Sequence, residues 1–330
     1  MSASYDVAAI GNAIVDVIAP ADEAFLVANG LAKGAMTLVD EARAHDLYGR
    51  MAQGVEASGG SACNTVAGVA SLGGRAAYLG KVAADQLGEV FIHDTRAIGV
   101  KFDNAPLAGG PATGRCLINV TPDGERTMST FLGASTEFSA DDVDASVIEG
   151  ASIVYLEGYL FDPPEARRAF AKAAGLARAS GRLIAITLSD GFVVERHRRA
   201  LLEFIETEVD LVFANETEIT SLFETSDFDA AVDAVRGKAK IAAVTRGASG
   251  SVVVTPEALH AVAAFPVANL VDTTGAGDQY AAGFMLGLAR GRPLDVCARL
   301  GGLAAAEVIS HYGPRPQTSL AELAAANGLA

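Results

Sequence analysis

Short runs of largely apolar residues recur along the chain at Tyr5–Ile10, Ser152–Leu156, Leu183–Leu188, Val209–Phe213 and Ile241–Thr245. Strands buried on both faces of a parallel sheet read this way, because helices cover each face and leave no polar alternation. Longer stretches between them carry the helical period, predicting helices over Ser61–Leu72, Leu87–Ile98, Glu165–Ser180, Arg198–Thr207, Asp227–Val235 and Asp278–Ala289. Strand and helix alternate through most of the chain. That predicts an α/β fold, with βαβ units around one central, mostly parallel sheet flanked by helices.

One region breaks the alternation. Arg115–Thr121 and Glu125–Phe131 flank Pro122-Asp123-Gly124, in which proline presets φ and glycine accepts φ > 0. This reads as a hairpin standing apart from the main sheet. A second irregular segment, Ala19–Asp40, precedes a glycine-rich stretch at Ser58. Together, segments near 12–45 and 105–135 are expected to form a small antiparallel β lid. No repeat, linker or low-complexity tract divides residues 1–330, so a single domain carrying a lid is expected.

The charge balance narrows the partners. Forty Asp and Glu against 25 Lys and Arg give a formal charge of −15, with no basic run, which argues against nucleic acid and anionic membrane surfaces. Cys63, Cys116 and Cys297 are far apart and form no CxxC pair, so neither a disulfide framework nor a zinc site is indicated. Reduced thiols, the absence of a signal-peptide core and the lack of a long apolar run predict a cytoplasmic protein.

Several chemistries are excluded by motif. The chain has no GxxxxGK[ST], HExxH or GxSxG. Gly275-Ala276-Gly277-Asp278-Gln279-Tyr280 begins like a dinucleotide fingerprint, but Tyr280 occupies the third glycine position. What stands there instead is Asp272-Thr273-Thr274-Gly275-Ala276-Gly277-Asp278 running into a helix. Small residues at a helix entrance leave backbone N–H groups uncovered where the dipole favours an anion, and Asp278 in the first turn can accept a proton. Read alone, Asp278 is equally a helix cap. Asn215-Glu216-Thr217-Glu218 follows a buried strand at the edge where open α/β sheets bind ligands. Its amide and carboxylate could hold hydrated Mg²⁺, or merely cap a helix. Gly59-Gly60-Ser61-Ala62-Cys63-Asn64 opens another helix, with Asn64 able to reach a substrate hydroxyl.

Taken together, these segments resemble the ribokinase (PfkB-type) family of small-molecule kinases over nearly the whole chain. Asp272–Asp278 is similar to the family's C-terminal signature, and Ser58–Asn64 with Ala67 and Gly73-Gly74 to its N-terminal one. Asn215 to Glu218 resembles its magnesium motif, while Thr245-Arg246-Gly247 with Gly250 resembles the loop lining its ATP site. The resemblance implies a ribokinase-like fold with ATP laid across the carboxyl edge of the sheet.

Within the family the details look most similar to the adenosine kinase branch. Gly11 to Asp16 resembles its opening strand, Gly124 to Ala134 its lid hairpin, and Leu188 to Phe192 a segment of that branch. Gln279-Tyr280 departs from the usual small residue plus Phe, and Leu160 stands near where an aromatic commonly packs on the base, beside Tyr159 and Phe161. The implied activity is transfer of the γ-phosphoryl of MgATP to a primary hydroxyl, either the 5′-OH of adenosine or a hydroxyl of ribose, fructose or a related ketose. A catalytically silent nucleotide-binding regulator is a third reading, which the intact Asp278, Asn215 and Glu218 argue against.

By the resemblance, Asn12, Asp16, Gly59, Gly60, Asn64 and Tyr159 would bind the acceptor, and Asp278 would be the base. Gly275, Ala276 and Gly277 would stabilise the transferring group, with Arg126 reaching from the lid as a clamp. Asn215, Thr245, Arg246, Gly247 and Gly250 would line the nucleotide, and Asn215 and Glu218 would hold Mg²⁺ largely through water. A base slot is expected from Met128–Phe131 with Tyr159 and Leu160. A monovalent cation is a further candidate cofactor, and a monomer or lid-mediated homodimer the expected assembly.

Overall fold

The computed structural model describes residues 3–330. In chain order the strands are β1 (Tyr5–Ile10), β2 (Ile14–Pro20), β3 (Met36–Leu38), β4 (Val55–Gly59), β5 (Ala76–Leu79), β6 (Thr113–Val120), β7 (Arg126–Gly133), β8 (Ala151–Glu157), β9 (Leu183–Thr187), β10 (Leu211–Asn215), β11 (Ile241–Thr245), β12 (Ser251–Val254) and β13 (Leu259–Val262). They form two sheets. The larger has the order β13-β12-β11-β10-β9-β8-β1-β5, parallel from β5 to β11 and antiparallel at β12 and β13.

The large sheet separates two apolar cores. Val7, Ala9, Ile153, Tyr155, Leu211, Phe213 and Ala243 point to the side packed by the Ser61–Ser71, Ala276–Ala289 and Leu294–Val308 helices. Their chain neighbours Ala8, Ile10, Val154, Leu156, Val212, Ala214 and Val244 point to the side packed by the Pro164–Ala179 and Gly191–Glu208 helices. Burial of alternate residues on opposite faces explains why these strands appear as unbroken apolar runs. The helix expected over Arg198–Thr207 begins earlier, at Gly191, because Asp190 caps it by accepting from the Val193 amide at 2.7 Å.

The smaller sheet has the order β3-β7-β6-β2-β4. The expected hairpin is β6–β7, and Gly124 in its turn has φ +84°. β2 also pairs antiparallel with β4, whereas β2 runs parallel to β6 and β3 to β7. Alternation now holds, since this sheet separates unlike environments. Val15, Val17 and Leu117 join Leu47 and Phe91 in the core, whereas Ile14, Asp16, Cys116, Ile118, Met128, Thr130 and Leu132 line a cavity. That cavity, about 930 Å³, lies between the small sheet and the carboxyl ends of β8 to β11.

Candidate active site

The loop before the Ala276–Ala289 helix is built around Asp272. Its Oδ1 accepts from the Thr274 amide (3.0 Å) and hydroxyl (2.8 Å), and Oδ2 from the Gly313 amide (3.0 Å). Gly275 then turns the chain with φ +79°, and a Cβ there would lie 2.6 Å from Pro314 Cα, so only glycine fits. The helix starts without a side-chain cap, leaving its first amides available to an anion at the cavity. Asp278, in the first turn, lines that cavity and accepts from Ser61 Oγ at 2.6 Å. Burial raises its pKa to about 6, while hydrogen bonds from Ser61 and Asn64 oppose the shift. It is thus a stronger base than an exposed aspartate.

Asn12, Asp16, Gly60, Ser61 and Asn64 all line the cavity close to Asp278. Gly60 has φ +92°, and a Cβ on it would meet the Asn12 carbonyl at 2.2 Å. Burial raises the Asp16 pKa to about 6, opposed by the charges of Arg315 and Arg126. Glu157, which the sequence reading passed over, ties this group together. Its Oε1 accepts from Asn12 Nδ2 (2.8 Å) and Oε2 from the Ala62 amide (2.8 Å) at the start of the Ser61–Ser71 helix. Burial lifts its pKa to about 7. Asn12 in turn accepts from Ser135 Oγ at 2.9 Å. Glu157 directly follows the predicted apolar run Ser152–Leu156 and ends the observed strand, and a carboxylate at the carboxyl end of a buried strand was the available signal.

Across the cavity, Asn215 and Glu218 form a reciprocal cap. Asn215 Oδ1 accepts from the Glu218 amide (2.8 Å), while Glu218 accepts from the Asn215 amide (2.9 Å) and Nδ2 (2.7 Å). The capping and ligand readings are therefore compatible, because both residues also line the cavity. Burial raises the Glu218 pKa to about 7, a setting in which a cation would restore the ionised form. No cluster of three or more His, Cys, Asp or Glu suited to a metal exists among the described residues. The oxygen donors fit Mg²⁺, which keeps several waters and takes phosphate oxygens.

The next loop contributes less than expected. Thr245 lines the cavity, but Arg246, Gly247 and Gly250 do not. The Arg246 guanidinium is 3.1 Å from Glu216 and stacks 3.8 Å from the Phe228 ring centroid, so it is engaged on its own side of the sheet. Gly250 has φ +87° and makes the turn into β12.

Two lid expectations also change. Arg126 is buried, outside the cavity, with Nη2 2.5 Å from Asp272 Oδ2. It holds the Asp272 carboxylate instead of facing a phosphate. Leu160 and Phe161 belong to the core beneath the large sheet, whereas Tyr159 lines the cavity. From β7 the residues facing the cavity are Met128, Thr130 and Leu132, since strand alternation turns Phe131 away. Met36, Leu38, Ile118 and Phe192 also line the cavity, with Met36, Met128 and Ile118 in one row across the small sheet. Phe192 is 70% exposed. All three cysteines are unpaired and buried, and no described helix is long and apolar enough to cross a membrane.

Residues 6–320 match the model of the pfkB family of carbohydrate kinases. The adenosine kinase of Sinorhizobium meliloti is 54% identical and superposes with a TM-score of 0.92, covering 99% of this chain and 100% of its own. A probable sugar kinase protein from Rhizobium etli is 48% identical, with a TM-score of 0.93 over 99% of this chain and 100% of its own. An adenosine kinase of Saccharomyces cerevisiae is 27% identical, spanning 92% of this chain and 95% of its own.

Proposed function

Because the chain belongs to the pfkB family of carbohydrate kinases, phosphotransferases that act on a hydroxyl, we propose that it transfers the γ-phosphoryl group of MgATP to the 5′-hydroxyl of adenosine. The observation that carries this reading is that the largely apolar Met36, Leu38, Ile118, Met128, Tyr159 and Phe192 line one cavity together with the polar Asn12, Asp16 and Asn64. A flat base and a ribose need both kinds of surface in one site.

In this reading Asp16 and Asn64 hold the ribose hydroxyls, with Glu157 fixing Asn12 beside them. Asp278 orients the 5′-hydroxyl and takes its proton as the new O–P bond forms. The amides of Ala276, Gly277 and Asp278 stabilise charge on the transferring group. Asn215 and Glu218 hold Mg²⁺ through its waters, and the ion neutralises phosphate charge when bound. Thr245 lies on the nucleotide side. The small sheet acts as a lid. On closure Arg126 exchanges Asp272 for a phosphate oxygen, a role supported by its buried Nε and Nη1, which have no hydrogen-bond partner.

An ADP-release screen of nucleosides and free sugars tests the reading. Burying roughly 100–150 Å² of adenine at about 25 cal/mol/Å² contributes on the order of 3 kcal/mol, or about a hundredfold in affinity. Adenosine should therefore exceed ribose and fructose by at least about that factor in kcat/KM. A free sugar that reacts faster, with adenosine neither reacting nor inhibiting, would establish the second reading, a sugar kinase. The polar floor of Asn12, Asp16, Asn64 and Glu157 would serve that acceptor equally well.

A further inference from the structure

The acceptor end of the cavity is braced by a segment that no motif marked. Pro314 and Arg315 lie beyond the Leu294–Val308 helix, with Pro314 filling the space at Gly275. Arg315 Nε donates to Asn64 Oδ1 (3.2 Å), Nη1 to Ser58 Oγ (2.8 Å) and Nη2 to Cys63 Sγ (3.2 Å). Gln279, next to Asp278 and fully buried, grips the same two places. Its Nε2 donates to the Asn64 carbonyl (2.9 Å) and to the Pro314 carbonyl (3.0 Å). Asn64 is thus held through its side chain by Arg315 and through its backbone by Gln279.

The direction of these bonds matters. Arginine has only donors, so it commits the amide oxygen of Asn64 and leaves the NH₂ group for other partners. The Asn64 side chain favours the ionised form of the Asp278 carboxyl, as an NH₂ group turned toward it would, and the same group can donate to an acceptor hydroxyl. We propose that Arg315 is a positioning residue for the phosphoryl acceptor, fixing the orientation of the Asn64 amide and supplying a permanent positive charge behind Asp16. The inference rests on the assignment of Asp16 and Asn64 to the acceptor.

The groups facing Asp16 are consistent with this role. Arg315 and Arg126 favour its ionised form, Asp278 opposes it, and burial opposes it most. The thiols of Cys116 and Cys63 interact with it as well, but burial pushes Cys116 up to about 12 and raises Cys63 too, so both are neutral. With Arg126 drawn to Asp272, Arg315 is the larger of the two favourable influences.

Two variants separate the contributions. Arg315→Gln removes the charge, and Arg315→Lys keeps it but loses the fork that spans Asn64, Ser58 and Cys63. Both should raise the KM for the acceptor by about 10- to 100-fold, the worth of a charge-assisted hydrogen bond. kcat and the KM for MgATP should stay within about threefold. In Arg315→Gln the acid limb of kcat/KM for the acceptor should move up by about one pH unit, because losing a cation raises a carboxylate pKa. The acid limb of kcat, measured with acceptor saturating, should not move. In Arg315→Lys both limbs should stay in place, and this holds as a test even if the Gln variant does not fold.

An unchanged acceptor KM in either folded variant overturns the proposal, as does a fall in kcat with acceptor KM unaltered. A failure of the underlying kinase reading is seen separately, in the wild-type protein, as absence of turnover with any nucleoside or sugar.

Discussion

Replacing Asp278 by Asn should weaken the enzyme and strengthen the fold, and the two effects share one cause. The carboxyl is half-buried at the cavity wall beside Ser61, and that partial burial raises its pKa from 3.8 to about 6. For an acid whose folded-state pKa is raised, the neutral form favours folding. That advantage is complete below the unfolded value and is lost as pH rises through about 6. Above that pH the empty protein holds a charge it has desolvated. A shift of about two units corresponds to about 3 kcal/mol. Asparagine keeps the acceptor for the Ser61 hydroxyl and carries no charge. At pH 8 the ligand-free Asp278→Asn protein should therefore be more stable by about 2–3 kcal/mol, or about 3–4 °C in Tm at this chain length. At pH 4 the two proteins should melt together. The same substitution should lower kcat by about 10²–10⁴ with little change in nucleotide affinity. Thermal melts at both pH values and steady-state kinetics provide the assay. Equal Tm values at pH 8, or a kcat within tenfold of wild type, would refute the reasoning, because a residue that only caps a helix predicts neither effect.

Two further outcomes concern the arginine of the small sheet and the capping carboxylate across the cavity. Arg126→Ala should reduce kcat more than it weakens acceptor binding, and should destabilise the fold by about 3 kcal/mol by leaving Asp272 buried without its cation; a denaturant melt and a KM-against-kcat comparison check both, and a loss confined to acceptor affinity would sink the clamp. Glu218→Gln should keep the backbone-amide hydrogen bond to Asn215 Oδ1 and one of the two side-chain bonds from Asn215, yet raise the Mg²⁺ concentration for half-maximal rate by about tenfold, read from a metal titration at fixed ATP, whereas an unchanged titration would return Glu218 to a purely capping role.

The features legible in the sequence were local ones. β1, β8, β9, β10 and β11 were visible because burial on both faces makes a strand apolar at every position, whatever it pairs with. The glycines at 60 and 275 and the helix starts beside them were visible because a positive φ and an uncapped helix entrance are demands on a few consecutive residues. Tertiary structure decided what those segments face. Ser61 meets Asp278 across 217 residues of chain, Asn12 meets Glu157 across 145, and Arg315 meets Asn64 across 251. No local pattern encodes such pairings, so Glu157 and Arg315 went unmarked. Arg126 lies on the hairpin strand β7, but the fold pairs it with Asp272. The pKa of Asp278 near 6 is likewise absent from the sequence. Identity sets the chemistry a carboxyl can perform, but only the surrounding fold removes the water that would otherwise hold it near its ordinary value.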